Sequence, residues 1–179
     1  MPGTLISAPL SAPRHHLEES EDIDLLRSHL KVHYRSLGPR SRRLRFMGDP
    51  SVEALDRLAD RADPELVLEL VEEGAVRAML EAHASAPGHV EVAISVEDRY
   101  QGKGLGRALF EEGLVILAAR GFRTADLVCL RENTALLHLV SRAGARMRME
   151  DGEVQIAIEL DHVLDHVRLS AAPAPAAGA

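Results

Sequence analysis

Between positions 98 and 110 the chain reads DRYQGKGLGRALF. Gly102, Gly104 and Gly106 alternate with Lys103 and Leu105, Gln101 stands before them and Arg107 after, and an apolar helical pattern follows at once. Bare backbone beside two cations at the start of a helix suits an anion seated on main-chain N–H groups, most often a phosphate. Two phosphate grips do not fit the spacing. The dinucleotide fingerprint G-x-G-x-x-G fails because the sixth position from Gly102 is Arg107 and from Gly104 is Leu109. The string G-x-x-x-x-G-K-[ST] does not occur. What remains is Q-x-x-G-x-G over residues 101–106, or the plainer reading of a tight strand-to-helix turn.

The elements on both sides must position that loop. Residues 89–96, HVEVAISV, put Val90, Val92, Ile94 and Val96 in strict alternation, which predicts a strand. A helix is expected over about 105–119, closed by Gly121. RTADLVCL at 123–130 reads as another strand. Asn133 is a good N-cap for a helix carrying Leu136, Leu139, Val140 and Ala143 on one face, closed by Gly144. ARMRM, the turn Asp151-Gly152 and EVQIAIEL predict a hairpin.

Upstream, RHHLEE at 14–19 reads as a short edge strand. Residues 21–36 are helical, with Ile23, Leu26, Leu30 and Tyr34 on one face. Leu37-Gly38-Pro39 stops that helix, a short arginine-rich turn of helix covers 41–46, and Asp49-Pro50-Ser51 caps a third helix to about 61. Residues 65–83 stay open on local grounds. Their Glu, Leu, Ala and Met favour helix, whereas Glu72-Glu73-Gly74 looks like a hairpin turn between two apolar runs.

At 179 residues the chain fits one domain, residues 14–168, between an N-terminal tail (1–13) and an Ala/Pro-rich tail (169–179), both expected to be disordered. The N-terminal tail lacks the basic start of a signal peptide. No stretch approaches the roughly 18 apolar residues of a membrane span, so no membrane partner is expected. The single cysteine, Cys129, excludes an intrachain disulfide and fits a cytoplasmic protein. A net charge of −7 argues against general nucleic-acid binding.

Residues 90–160 resemble the GNAT superfamily, the Gcn5-related N-acetyltransferases. Q/R-x-x-G-x-G/A is that family's acyl-coenzyme A pyrophosphate loop, which Gln101, Gly104 and Gly106 match. The preceding strand, the following helix, the next strand and the helix opened by Glu132-Asn133-Thr134 match in order. SLGPRSRRLRF at 36–46 and HVEVAISVEDRYQGKGLG at 89–106 resemble segments of bacterial protein-lysine acetyltransferases. The resemblance implies an α/β GNAT fold: a mixed, mostly antiparallel sheet with two splayed parallel central strands and flanking helices. It also resolves residues 65–83 as two strands around Gly74.

By the same resemblance, acetyl-CoA wedges between strands 89–96 and 123–130, as co-substrate and without a metal. Its pyrophosphate would lie on Gly102, Lys103, Gly104, Leu105, Gly106 and Arg107, with Gln101 at the head of the loop. Ile94 and Val96 would pair with the pantetheine amides, a backbone N–H near Ile94 would meet the thioester oxygen, and Asn133 would stand near the pantetheine arm. Acyl transfer needs a free amine, yet a lysine ammonium has a pKa of about 10.4, so a base must take its proton. Glu91 aligns with the general base of the protein-lysine acetyltransferases. On the residues alone, a solvent-side glutamate on a half-exposed strand is the commoner reading.

One departure from the family pattern concerns the general-acid tyrosine seven residues after the asparagine, where this chain has Val140. His138 lies roughly 200° from that position around the helix and does not replace it. Cys129 is read as a small hydrophobe. Arg35, Arg40, Arg42, Arg43 and Arg45 could meet an acidic substrate, a CoA phosphate or nucleic acid; the favoured reading is a solvated cluster paired with nearby acids. His29/His33 and His162/His166 have ligand spacing, but no third ligand accompanies either pair.

The expectation is acetyl transfer from acetyl-CoA to a primary amine, with a protein lysine as leading acceptor. Small-molecule amines and a non-catalytic acyl-CoA-binding module are the alternatives, the latter favoured by the missing tyrosine. Acceptor identity, acyl-chain preference and a homodimer are left open.

Overall fold

The computed structural model describes residues 16–19, 22–161 and 163. The expected tails, residues 14–15 and the His162/His166 pair lie outside the described residues, apart from Val163. Three helices open the chain, α1 (Ile23–Ser36), α2 (Pro39–Phe46) and α3 (Val52–Asp60), after the short strand β1 (His16–Glu19). Then come β2 (Leu66–Glu72), β3 (Ala75–Ala86), β4 (His89–Val96), a short 3-10 turn (Asp98–Tyr100) and α4 (Leu105–Ala119). β5 (Thr124–Leu130), α5 (Thr134–Arg142), β6 (Arg146–Glu150) and β7 (Glu153–Glu159) complete it.

The stretch that propensity leaves open is extended. β2 and β3 turn about Glu73 and Gly74, at φ 54° and 73°. A two-residue turn with both centres left-handed matches the twist of the flanking strands. Helix propensity loses because both faces of these strands have something to bury. Leu66, Leu68 and Leu70 join Leu109, Leu114 and Leu117 of α4 in one core, while Val67 and Met79 join Leu26, Leu30 and Leu55 of α1 and α3 in another. Fully buried residues on both faces erase the alternation that would mark a strand.

The seven strands lie in the order β1-β2-β3-β4-β5-β7-β6. Every neighbouring pair is antiparallel except β4 and β5. Helices α1 and α2 cover one face around β3 and β4, and α4 covers the other. The expected stop at Leu37-Gly38-Pro39 is also a start. Pro39 occupies the first turn of α2, where a missing N–H costs nothing, so the arginine-rich helix is longer than the turn expected over 41–46. Ser51, Asn133 and the Asp151-Gly152 turn act as the sequence indicates: both side chains cap their helices, and the two turn residues sit at φ 47° and 89°.

Candidate active site

Parallel pairing between β4 and β5 covers only His89–Glu91 against Thr124–Asp126. Beyond Glu91, β4 keeps its antiparallel partner β3 through Val96, and β5 keeps β7 through Leu130. The strands therefore splay. The N–H of Glu97 donates to the carbonyl of Arg77 at 2.9 Å. Main-chain groups alternate sides along a strand, so Glu91, Ala93 and Ser95 also address β3. Val92, Ile94 and Val96 then address the gap. In keeping with that, the carbonyl of Val96 accepts from Nε2 of Gln101 at 2.9 Å instead of from a strand.

The gap ends on the N-terminus of α4. Gly104 is its N-cap at φ 82° and offers no side chain, so the first-turn N–H groups of Leu105, Gly106 and Arg107 have no capping partner. Gly102, at φ 72°, and Gly104 supply left-handed backbone, and nothing stands within 4 Å of where a Cβ would be on either. Gly106 serves differently: an added Cβ would lie 3.3 Å from Cγ2 of Val96, so its bareness lets α4 approach β4. An open, donor-lined cradle at a helix N-terminus is the surface that a pyrophosphate fits.

Side chains around the loop brace it. Nζ of Lys103 lies 4.8 Å from the centre of the Tyr100 ring, which Arg77 and Arg99 also flank at 5.1 Å. Arg107 forms an exposed ion pair with Glu111 at 3.6 Å. Besides Val96, the Gln101 amide donates to Oγ of Ser41 at 3.0 Å. Its amide nitrogen thus faces protein, which makes Gln101 a brace of the loop.

Glu91 is exposed on the other face of β4, opposite Val90 and Val92. It stands across from His83 of β3 on one side and Asp126 of β5 on the other. Asp126 itself bonds His89 at 2.8 Å and borders an open cleft of about 310 Å³ lined by Arg146, Arg148, Gln155 and Ala157. Behind Glu91 lies a buried polar cluster. Tyr34 donates its hydroxyl to Oε2 of Glu81 at 2.6 Å, and Arg45 donates to Oε1 at 2.7 Å.

Burial works to raise the Glu81 pKa, but the Arg45 charge, the nearby His83 ring and hydrogen bonds from Tyr34 and Arg45 outweigh it and hold the carboxyl down at about 2. Burial raises the Tyr34 hydroxyl far above its ordinary value.

This cluster corrects the expectation of a solvated arginine patch. Arg35 and Arg43 do meet acids at the surface, Asp56 at 2.5 Å and Glu132 at 2.9 Å. Arg45 instead has a side chain only 16% exposed and runs inward to Glu81. Asn133 caps α5 by accepting from the N–H of Leu136 at 3.2 Å. Val140 is fully buried, so the position of the absent tyrosine belongs to the core. Cys129 is buried there too, and desolvation raises its thiol pKa. Among the described residues no cluster of three metal-ligating side chains occurs, and no described helix is long and apolar enough to cross a membrane.

Sequence reasoning missed His83 and Asp98. Only part of the signal for His83 was present: Pro87-Gly88 reverses the chain, with Gly88 at φ 79°, but a plain turn there would set Ala84 against Glu91, and the bulge between Ala84 and Ala86 brings His83 to that place instead. The signal for Asp98 was absent, because its partners Gly38 and Ser41 are remote in sequence.

A splayed parallel pair ending on a glycine-framed helix N-terminus, within a mixed sheet, defines the GNAT acyltransferase fold. The model of the acetyltransferase (GNAT) family matches residues 34–145, more than half of the chain, and the chain belongs to that family. It is an acetyltransferase, of a family that uses acetyl-CoA.

Solved structures share the fold at low identity. The GNAT domain of PAT from S. lividans is 22% identical, with a TM-score of 0.66 over 80% of this chain and 89% of that one. PaiA N-acetyltransferase from Thermoplasma acidophilum, in complex with coenzyme A, is 15% identical with a TM-score of 0.59, covering 80% and 99%. A spermidine N-acetyltransferase SpeG chimera from Vibrio cholerae and hSSAT is 17% identical with a TM-score of 0.63, covering 86% and 99%. No curated protein matches the chain in sequence.

Proposed function

We propose that this chain moves an acetyl group from acetyl-CoA to a primary amine, with Glu91 as general base and a protein lysine as acceptor. One observation carries the reading: the unpaired edge of β4 at residues 92–96 runs into the open N-terminus of α4. The N–H and C=O groups of Ile94 bind an extended pantetheine as an added strand, together with the N–H of Val96. The N–H groups of residues 102–107 hold the pyrophosphate, and Lys103 and Arg107 add positive potential at its rim.

Acetyl-CoA supplies the activated acyl group; the residues supply alignment and a proton acceptor. An N–H near Ile94 meets the thioester oxygen as it gains charge. Glu91 faces away from the α4 core and toward the cleft beside Asp126, so it meets an amine arriving from that side. Its carboxylate takes the ammonium proton, directly or through a water. With Val140 buried, no side chain at that position protonates the sulfur, and a thiolate is a tolerable leaving group without one.

For the acceptor, support comes from SLGPRSRRLRF and the Glu91 alignment, together with the likeness to the PAT domain. A small amine is the second reading, favoured by the likeness to a spermidine N-acetyltransferase and by the acidic pair Glu91 and Asp126. A screen with acetyl-CoA against proteins and small amines, read by mass shift, tests both. Acetyl-lysine in a protein acceptor supports the first reading; labelling of small amines alone supports the second.

A further inference from the structure

Acetylating an ammonium sheds two protons, since R–NH₃⁺ ends as an amide with one N–H. The departing sulfur takes one. The other passes through the base and must reach solvent before the next turnover. Glu91 is placed to remove a proton, and His83 is placed to carry it away. The two residues are direct partners in the β3–β4 ladder, so their side chains leave the same face with Cβ atoms about 5 Å apart. The His83 side chain is 40% exposed and therefore reaches water.

The imidazole is also backed by a fixed charge. Its Nε2 lies 3.8 Å from Oε2 of Glu81, a carboxylate 2% exposed and immobilised by Tyr34 and Arg45. The ladder shifts register between Ala84 and Ala86, immediately beyond His83. Such bulges re-aim side chains next to active sites. Around His83 stand Glu81 on its own strand and Glu91 on β4 with Asp126 beyond it on β5, and Glu81 is itself held by Tyr34 on α1 and Arg45 on α2.

We propose that His83 is the proton-transfer partner of Glu91, held by Glu81 at one side of its ring and open to solvent at the other. An acceptor N–H bond breaks toward a Glu91 carboxylate oxygen. The nitrogen lone pair forms the new N–C bond, and the C–S bond breaks with its electron pair going to sulfur. The proton on Glu91 passes to His83 and on to water, and the second amine proton ends on sulfur. This inference rests on the proposed transferase reading.

Thiol release from acetyl-CoA under saturating primary amine tests it in full-length wild type, His83→Ala and His83→Gln. Both variants are expected to lose roughly ten-fold or more in kcat, with an unchanged KM for acetyl-CoA and an unchanged melting temperature. Imidazole at tens of millimolar restores His83→Ala and leaves His83→Gln low. A His83→Ala rate within about two-fold of wild type overturns the proposal, as does a loss that imidazole does not rescue. Wild type that releases no thiol in response to any amine overturns the transferase reading, and the role of His83 with it.

Discussion

Asp98 caps a helix that begins 60 residues before it: its Oδ2 accepts from the N–H of Gly38 at 2.7 Å. Its other oxygen accepts from Oγ of Ser41 at 2.5 Å, and Ser41 in turn accepts from Gln101. Gly38, the N-cap of α2, has no side chain to do this work, so the cap comes from the segment that leads into the glycine loop. The cradle proposed for the donor and helix α2 thus share one carboxylate.

Gly38→Ala tests that link. An added Cβ would collide with Oδ2 of Asp98, so the carboxylate must leave its seat. Loss of the cap should cost about 1 kcal/mol, seen as a lower melting temperature. The KM for acetyl-CoA should rise with it, because the brace on Gln101 shifts too. A lower melting temperature with an unchanged KM would separate the cap from the loop.

Gly104→Ala should weaken acetyl-CoA binding more than it weakens the fold. The residue sits at φ 82° with open space where a Cβ would point, so the variant carries about 1 kcal/mol of backbone strain and a methyl group facing the cradle. Calorimetry with acetyl-CoA is expected to show a several-fold higher Kd, and thermal melting only a modest change.

Arg45→Ala should be among the most destabilising changes in the layer of α1 and α2. It leaves the buried Glu81 carboxylate without its cation, at a cost of about 3–5 kcal/mol. Adding Glu81→Leu should recover much of that loss. A double-mutant cycle in urea measures the coupling, and additive single effects would contradict it.

Stability should fall with acid in two steps. His33 is fully buried, with Nε2 2.9 Å from Oγ of Ser95. Burial pushes its pKa from 6.5 down to about 4, against the pull of Glu81 and Glu97. The unfolded chain takes up this proton near pH 6.5 and the folded chain not until about 4, so the native state loses stability as pH falls between them, by up to about 3 kcal/mol.

Glu81 acts below that window. Its depressed value of about 2 gives stability that is present above pH 4.5 and lost as pH falls toward 2. Urea melts from pH 7 to 4 should show the first step, and His33→Gln should flatten it.

What was legible in the sequence is what short-range physics fixes. The alternation of Val90, Val92, Ile94 and Val96, the bare loop after it, the Asn133 cap and the Asp151-Gly152 turn each act within a few residues, and each stands where it was expected. What was not legible depends on remote partners. Residues 65–83 lose their strand signature because two separate cores claim their two faces. Arg45 looks like its arginine neighbours until Glu81 is placed beneath it. Gln101 fits a motif for the donor loop, while its amide turns to Val96 and Ser41.

The most direct test of the account is the rate of amine-dependent thiol release from acetyl-CoA by wild type and Glu91→Gln, measured beside acetyl-CoA affinity. A general-base role for Glu91 predicts a loss of roughly 100-fold or more in kcat, with acetyl-CoA bound as tightly as before. Equal rates for the two proteins would remove Glu91 from the chemistry.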